Sequence, residues 1–326
     1  MSVLKPGTLS QERIVFLFAI VLFAAYAALL DGFLAPNNLV AILRSVSVLG
    51  ILAVGMGIVV IGRGIDLSMV AVMAMATAWQ LAMMNAGTSP LLATAIVFCG
   101  VVAVGIINGF LIAYAEVPAV FATLATASFV FGLVRSRFIA QDAVPVPPSA
   151  SFIMEFGQAR IAHMPIEVVM FAAAAFLSFV ALRFTKFGRY VYFMGDNYQA
   201  ARTMGIPVRP MIIGQYIVSA LVAWLAGLIT AAGLQSINTR VVNSTLLYDV
   251  ILVVVIGGIG LSGGKGGMRN VVIGALLIGI MLNGMTILDL PNIYQNLIKA
   301  TILLVALIID SRLNPRDEQV GQQGDI

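Results

Sequence analysis

The chain has 326 residues, 61% of them hydrophobic and only 10% charged, with a mean hydropathy of +1.05. Soluble domains carry about 25% charged residues, so this composition excludes an ordinary soluble protein and points to a polytopic membrane protein. The net charge of +4 comes from lysines and arginines at the ends of apolar runs rather than on one face, which argues against nucleic-acid binding. Cys99 is the one cysteine and lies in an apolar run, so an internal disulfide is excluded.

A helical span needs about 20 largely apolar residues. Ten such stretches follow in order: 13–30, 45–61, 68–84, 89–113, 118–134, 166–183, 211–233, 248–260, 270–287 and 293–310. No small-residue cleavage site follows the first, so it is expected to be retained. The second and eighth are short or broken by glycine, and each runs into a glycine-containing turn, RGIDLS and SGGKGG. With the N-terminus inside and the spans alternating, inner segments hold 12 of the 18 basic residues and outer segments 5, with Lys299 inside the last span. That bias favours an N-in, C-in arrangement. The expected organisation is a cytoplasmic N-terminus (1–12), one transmembrane domain (13–310) and a polar tail (311–326) read as disordered. An external loop at about 135–165 contains VPVPPSA, which cannot be regular helix.

The stretch 184–207 contains KFGRYVYFMGDNYQAARTMGIP and stands between two long apolar runs. Asp196 suits an N-cap, and Gln199 three residues on completes a capping-box-like pair. Gly205 suits a left-handed cap, and Pro207 stops continuation. Two turns of helix do not persist alone in water, so the element must pack on something. Ala200 and Ala201 offer a small-residue patch to a partner groove; the other reading is an amphipathic helix on the lipid surface.

Arg63 and Asp66 of RGIDLS sit at the edge of the bilayer, where charges are costly. Asp66 capping the third span with help from Ser68, a local Arg63–Asp66 pair, and an inner-gate role all fit. VVIGRGIDLS (59–68) also resembles VIGGIGLS (255–262), a match that chance could produce in glycine-rich apolar sequence. Around Lys265 the phosphate-loop pattern fails twice, with Ile259 where glycine is required and Gly266 where a hydroxyl is required. Polar residues inside spans, Asn108, Thr123, Thr126 and Asn283, with Phe121 nearby, suit either a path for a hydroxyl-rich solute or interhelical hydrogen bonding. His163 has no cysteine, histidine or carboxylate cluster with it, so neither a metal site nor a catalytic centre is expected. Glu116, Glu167, Asp249 and Asp289 lie near span ends, which argues against an ion-coupled carrier. An intramembrane enzyme would need converging acids, bases or metal ligands, and none converge in the sequence.

The motifs PNNLVAIL, GMGIVVIGRGIDLS, INGFLIAYAEVPAVFATLAT, FGRYVYFMGDNYQAARTMGI, VVVIGGIGLSGGKG and YQNLIKATILLVALIID, in this order and spacing, resemble the ribose-type permease subunits of bacterial ABC sugar importers. The resemblance covers about residues 36–311. It implies an all-α bundle of about ten transmembrane helices, similar to cobalamin-type importer permeases, in the bacterial inner membrane. It further implies two permease subunits as a homodimer or heterodimer, a cytosolic ABC ATPase that holds the ATP and Mg, and a periplasmic or lipid-tethered sugar-binding protein. No cofactor is expected on this chain itself. The coupling segment, about 184–210, would dock on the ATPase through Gly188, Arg189, Gly195, Asp196, Asn197, Ala200, Ala201 and Gly205. The turns at Gly64, Asp66 and Ser68 and at Gly258, Ser262 and Gly263 are the expected inner-gate elements. The chain departs from the family pattern at RGIDLSMVA, where GGIDLSVGS is usual, and at GDNYQAA, where GGNEEAA is common; the usual aspartate before the eighth span is present as Asp249. The expected activity is ATP-driven monosaccharide import, with an ATP-independent facilitator or secondary carrier as the alternative.

Overall fold

The structure is a computed structural model that describes residues 11–161 and 163–313, with side chains to residue 308. The proposed N-terminal segment up to residue 10 and the tail from 314 lie outside the described residues. In chain order the helices and strands are α1 (Gln11–Leu29), α2 (Pro36–Ile61), α3 (Met69–Asn85), α4 (Pro90–Ala113), α5 (Ala119–Arg137), β1 (Ala143–Pro145), α6 (Ser151–Gln158), β2 (Arg160–Ile161), β3 (Met164–Pro165), α7 (Ile166–Phe184), α8 (Lys186–Asp196), α9 (Tyr198–Thr203), α10 (Val208–Leu234), β4 (Ser236–Asn238), α11 (Leu246–Gly257), α12 (Met268–Ile287) and α13 (Asn292–Leu313).

Seven of these helices, α1, α2, α4, α5, α7, α10 and α12, are long and apolar enough to cross a membrane. Shorter apolar helices, α3, α11 and the 292–308 part of α13, coincide with the other expected spans. At 1.5 Å per residue, the 12 residues of α11 cover about 18 Å, well short of a hydrocarbon core of about 30 Å. The helix stops because Gly258 takes a left-handed conformation (φ +99°) and caps it. The second span starts nine residues earlier than expected, at Pro36, because Arg44 interrupts the apolar run without interrupting the helix; its guanidinium lies 3.5 Å from Glu167 on α7. Pro36 occupies the first turn, where its missing N–H costs nothing.

The core runs through the second half of α2, from Gly50 to Ile61, with α7, α10, α11 and α12 around it. Gly105 and Gly109 bring α4 directly onto the α10 backbone, because a Cβ at either position would meet Ile217 or Ile213 backbone atoms. This small-xxx-small spacing is how membrane helices approach closely when lipid gives no hydrophobic drive. Large apolar side chains point outward on the peripheral helices, among them Phe16 and Phe18 (α1), Phe129 (α5), Phe176 (α7) and Leu304 (α13).

The residues between α5 and α7 build a cap over one end of the bundle. The stretch around VPVPPSA is non-helical, as its prolines require, up to a 3-10 turn at Pro148–Ala150. β1 pairs antiparallel with β4, Val144 opposite Ile237. Asp142 binds Arg135 at 2.8 Å and Arg240 at 2.7 Å beside this ribbon.

Candidate functional site

The opposite end gathers four connecting segments: 62–68 after α2, 114–118 after α4, the α8–α9 region, and 258–267 after α11. Their contacts define one continuous assembly. Gly264 N–H donates to Ile61 O at 2.8 Å, joining the two glycine turns whose sequences resemble each other. Tyr198 OH donates to Gly62 O at 3.3 Å, and Tyr192 OH to Gly266 O at 2.8 Å, so α9 and α8 each hold one turn. Gly195 lies against both: a Cβ there would overlap Ile61 O and the Gly264 amide nitrogen. Arg209 reaches Glu116 at 3.5 Å and stacks over Tyr114, tying the start of α10 to the α4–α5 turn. Burial pushes the Tyr198 phenol up to about 12, with the nearby Arg63 charge pulling the other way. The Tyr192 phenol is raised by burial as well.

At the centre of this end the RGIDLS turn sinks into the bundle. Asp66 is 1% exposed. Its Oδ1 accepts from Ser68 N–H at 2.9 Å and Ser68 Oγ at 2.6 Å, and its Oδ2 accepts from Ser219 Oγ on α10 at 2.7 Å. Ser68 Oγ in turn accepts from Asn108 Nδ2 on α4 at 2.9 Å. Leu67 N–H donates to Thr123 Oγ1 on α5 at 3.1 Å, and Tyr216 OH on α10 donates to Ile65 O at 3.1 Å. Three helices therefore satisfy one irregular turn, which is how non-helical backbone survives at depth in a membrane bundle. Among the described residues no ion pair involves Asp66, so of the sequence readings of this turn the local Arg63 pair is absent. The N-cap position of α3 is Ser68, which makes no side-chain cap bond, and Asp66 accepts from Ser68 N–H ahead of the helix, so Asp66 closes the turn and does not cap the third span. Arg63 itself adopts φ +72°, a left-handed conformation that favours glycine. Two buried polar atoms beside the network, Asn108 Oδ1 and Gln215 Nε2, lack a hydrogen-bond partner among the described residues.

The expected path residues divide. Asn108 and Thr123 belong to the Asp66 network. Thr126 is buried but bonds back to Ala122 O of its own helix at 2.9 Å. Phe121 points outward, 67% exposed. Asn283 lies elsewhere and exchanges amide hydrogen bonds with Asn38, at 3.1 and 2.8 Å. Of the gate residues, Gly64 lies under the Tyr216 hydroxyl, Ser262 is half-buried, and Gly258 and Gly263 both take positive φ (+99° and +79°).

The coupling segment is two helices, where the sequence suggested one. Asp196 ends α8, and the cap of α9 is Asn197, whose Oδ1 accepts from Ala200 N–H at 2.9 Å. Gly205 adopts the expected left-handed conformation, φ +75°. The small-residue patch does not face outward as a unit, because Ala201 is fully buried, in a cluster with Tyr216, Val208 and Met194. Ala200, Arg189 and Asp196 are exposed, and Gly188 is buried where a Cβ would overlap the Leu182 backbone. Sequence reasoning missed Gln215, Tyr216 and Ser219; the signal was there, since GQYIVS interrupts an apolar run just as Asn108 does.

A second buried charge lies toward the capped end. Lys299 of α13 donates to Thr245 at 2.8 Å and pairs with Asp249 of α11 at 2.9 Å. Among the described residues no group of three or more histidine, cysteine or carboxylate side chains is placed to hold a metal.

Comparison with known proteins gives the class of protein that holds these irregular glycine turns inside its apolar bundle. The family described as the branched-chain amino acid transport system / permease component matches residues 38–307. The ribose import permease protein RbsC of Escherichia coli K12 is 32% identical over 312 residues, covering 94% of this chain and 95% of that protein. RbsC of Bacillus subtilis is 34% identical, covering 91% and 92%, and the L-arabinose ABC transporter permease protein AraH of Azospirillum brasilense is 33% identical, covering 94% and 90%. No solved structure matches the chain significantly. The chain belongs to this permease family and, within it, to the ribose-type ABC permeases; it is a sugar-transport subunit of a kind that is not an enzyme.

Proposed function

We propose that this chain is the membrane subunit of an ATP-driven monosaccharide importer, for a ribose-like pentose, a hexose or a polyol. It spans the bacterial inner membrane ten times with both termini inside. Its partners are a second permease subunit, a cytosolic ATPase that carries ATP and Mg, and an external sugar-binding protein. The end that gathers α8, α9 and the two glycine turns is the cytoplasmic one.

The observation that carries this reading is the chain of contacts from α9 to the buried turn. A push on the exposed side of α9 at Ala200 reaches Gly62 through Tyr198, and Ile61 and Gly264 through Gly195. It then reaches Asp66, Ser219 and Asn108 four residues further along. Such a stiff path suits a subunit that receives its energy from outside. When the turn shifts, Asn108 Oδ1 and Gln215 Nε2 become an acceptor and a donor for sugar hydroxyls on the path.

The test is reconstitution in proteoliposomes with the cognate ATPase and binding protein. Ala200→Glu, on the exposed face, is expected to abolish ATPase association and sugar uptake while the chain folds normally. Unchanged association and uptake overturn the coupling role. Sugar flux through this chain alone, without ATPase, establishes the facilitator reading in its place.

A further inference from the structure

Two adjoining cavities open between α1, α7 and α12, on the flank of the assembly just described. The first, of about 320 Å³, is walled by Glu12, Arg183, Tyr192 and the stretch Gly266–Asn270, which includes Arg269. The second, of about 420 Å³, is walled by Ala175, Phe176, Phe179, Val272 and Ile273. They share Glu12, Phe179, Met268 and Arg269, so they form one two-part recess, polar at the mouth and apolar beyond. Arg183 is in the last turn of α7 and Arg269 in the first turn of α12, while the apolar wall lies one to two turns further into the same helices. The recess therefore runs from the water boundary toward the middle of the bundle's height.

The charges at the mouth are not spent within the chain. Among the described residues neither Arg183 nor Arg269 has a carboxylate within 4.0 Å, and Arg183 only rests over the Phe179 ring. Two guanidiniums and the Glu12 carboxylate leave one net positive charge, the complement of one phosphodiester. The amide end of the 20-residue helix α12 adds to the same field.

We propose that this recess binds one anionic phospholipid, its phosphodiester between Arg183 and Arg269 and one acyl chain between α7 and α12. Basic recesses between helices at the membrane boundary are suited to such headgroups. The bound lipid would also act on the transport machinery. Tyr192 lines the mouth and holds Gly266, so the lipid braces the 258–267 turn that meets Gly195. The proposal uses the membrane placement of the chain and not the identity of its sugar.

The experiment uses the full chain, delipidated in neutral detergent, with binding read by native mass spectrometry. Phosphatidylglycerol, phosphatidylcholine and inorganic phosphate are the probes, and a thermal melt serves as the folding control. One phosphatidylglycerol is expected to bind, and Arg183→Gln with Arg269→Gln to weaken it roughly thirtyfold, the size expected for two basic side chains at an anionic surface. Val272→Trp, or Ile273→Phe where the first does not fold, fills the apolar part and is expected to release the lipid as well. Equal binding of phosphatidylcholine, or unchanged binding in the double arginine variant, overturns the site. Competition by inorganic phosphate together with no effect of the apolar substitutions shows a free-phosphate site and overturns the lipid assignment. Binding is measured without ATPase or sugar, so failure here leaves the transport reading untouched and failure there leaves this one.

Discussion

Asp66 and Asp249 are both buried, at 1% and 7% exposure, yet they are held by opposite means. Asp249 has a lysine, and the pair joins two neighbouring helices, α11 and α13. Asp66 has three donors from an amide and two hydroxyls, contributed by its own turn and by α10, with α4 one bond further away. A buried ion pair is a fixed weld, because separating its members leaves two uncompensated charges. Hydroxyls rotate and exchange partners at little cost, so the Asp66 turn can be re-bonded as its helices shift. One end of the molecule is built to stay in place, and the other is built to be rearranged.

The largest expected effect tests the weld. Asp249→Asn removes the charge opposite the buried Lys299, leaving it one amide oxygen and Thr245, and should cost about 3–5 kcal/mol, the usual penalty for breaking a buried pair from one side. Thermal unfolding in detergent measures it. Adding Lys299→Met should recover most of the loss, since the second substitution removes the stranded charge. A double variant as unstable as the single one would mean that the pair does more than satisfy itself.

Ser219→Ala tests the other end. It removes the one donor to Asp66 Oδ2 that comes from another helix, and an unsatisfied buried acceptor costs about 1–3 kcal/mol. The loss should be smaller than at Asp249. Uptake should fall more than the melting temperature implies, because α10 then holds the turn only through the Tyr216 hydroxyl on Ile65 O. A change in stability with normal uptake would make the network a packing device only.

These two sites also mark how far the sequence could be read. The places of most long apolar helices, the glycine turns, the left-handed Gly205 and the irregular proline stretch were legible, because each depends on residues adjacent in the chain. Arg44 misplaced the start of α2, since hydropathy reads charge while the helix tolerates it once Glu167 is near. Asn197 displaced Asp196 as the cap because FGRYVYFMGD continues as a helix of its own, packed on both turns. The burial of Ala201 belongs to a cluster that includes Tyr216, fifteen residues away on another helix. Of the network, Asp66, Ser68, Asn108 and Thr123 could be singled out as polar residues in apolar surroundings. Their convergence with Ser219, 153 residues from Asp66, belongs to the packing and has no local signature.

Tyr198→Phe is a smaller perturbation along the same axis. It removes one neutral hydrogen bond to Gly62 O and should cost about 0.5–1.5 kcal/mol, while loosening α9 from the turn. The phenol also gives a pH signature. Its folded value of about 12 lies above the ordinary 10, so the protonated form is favoured in the folded chain. That contribution is complete below pH 10 and is lost as pH rises from 10 through 12. Hydrogen exchange of the α8–α9 amides across that range should show the loss in the native chain and not in Tyr198→Phe.

The smallest expected effect is also the sharpest contrast. Asp66→Asn keeps an oxygen that can accept from Ser68 N–H and Oγ, and turns the other oxygen into an amide that donates to the Ser219 hydroxyl. Every partner can adapt, so the change should cost under about 1 kcal/mol, several-fold less than the same substitution at Asp249. Parallel melts of the two variants decide it. If Asp66→Asn proves as damaging as Asp249→Asn, the carboxylate charge itself is required and a cation must reach Asp66 in the folded protein. Arg63, in the same turn, would be the first side chain to suspect, and Arg63→Gly would then lower stability instead of relieving its left-handed backbone.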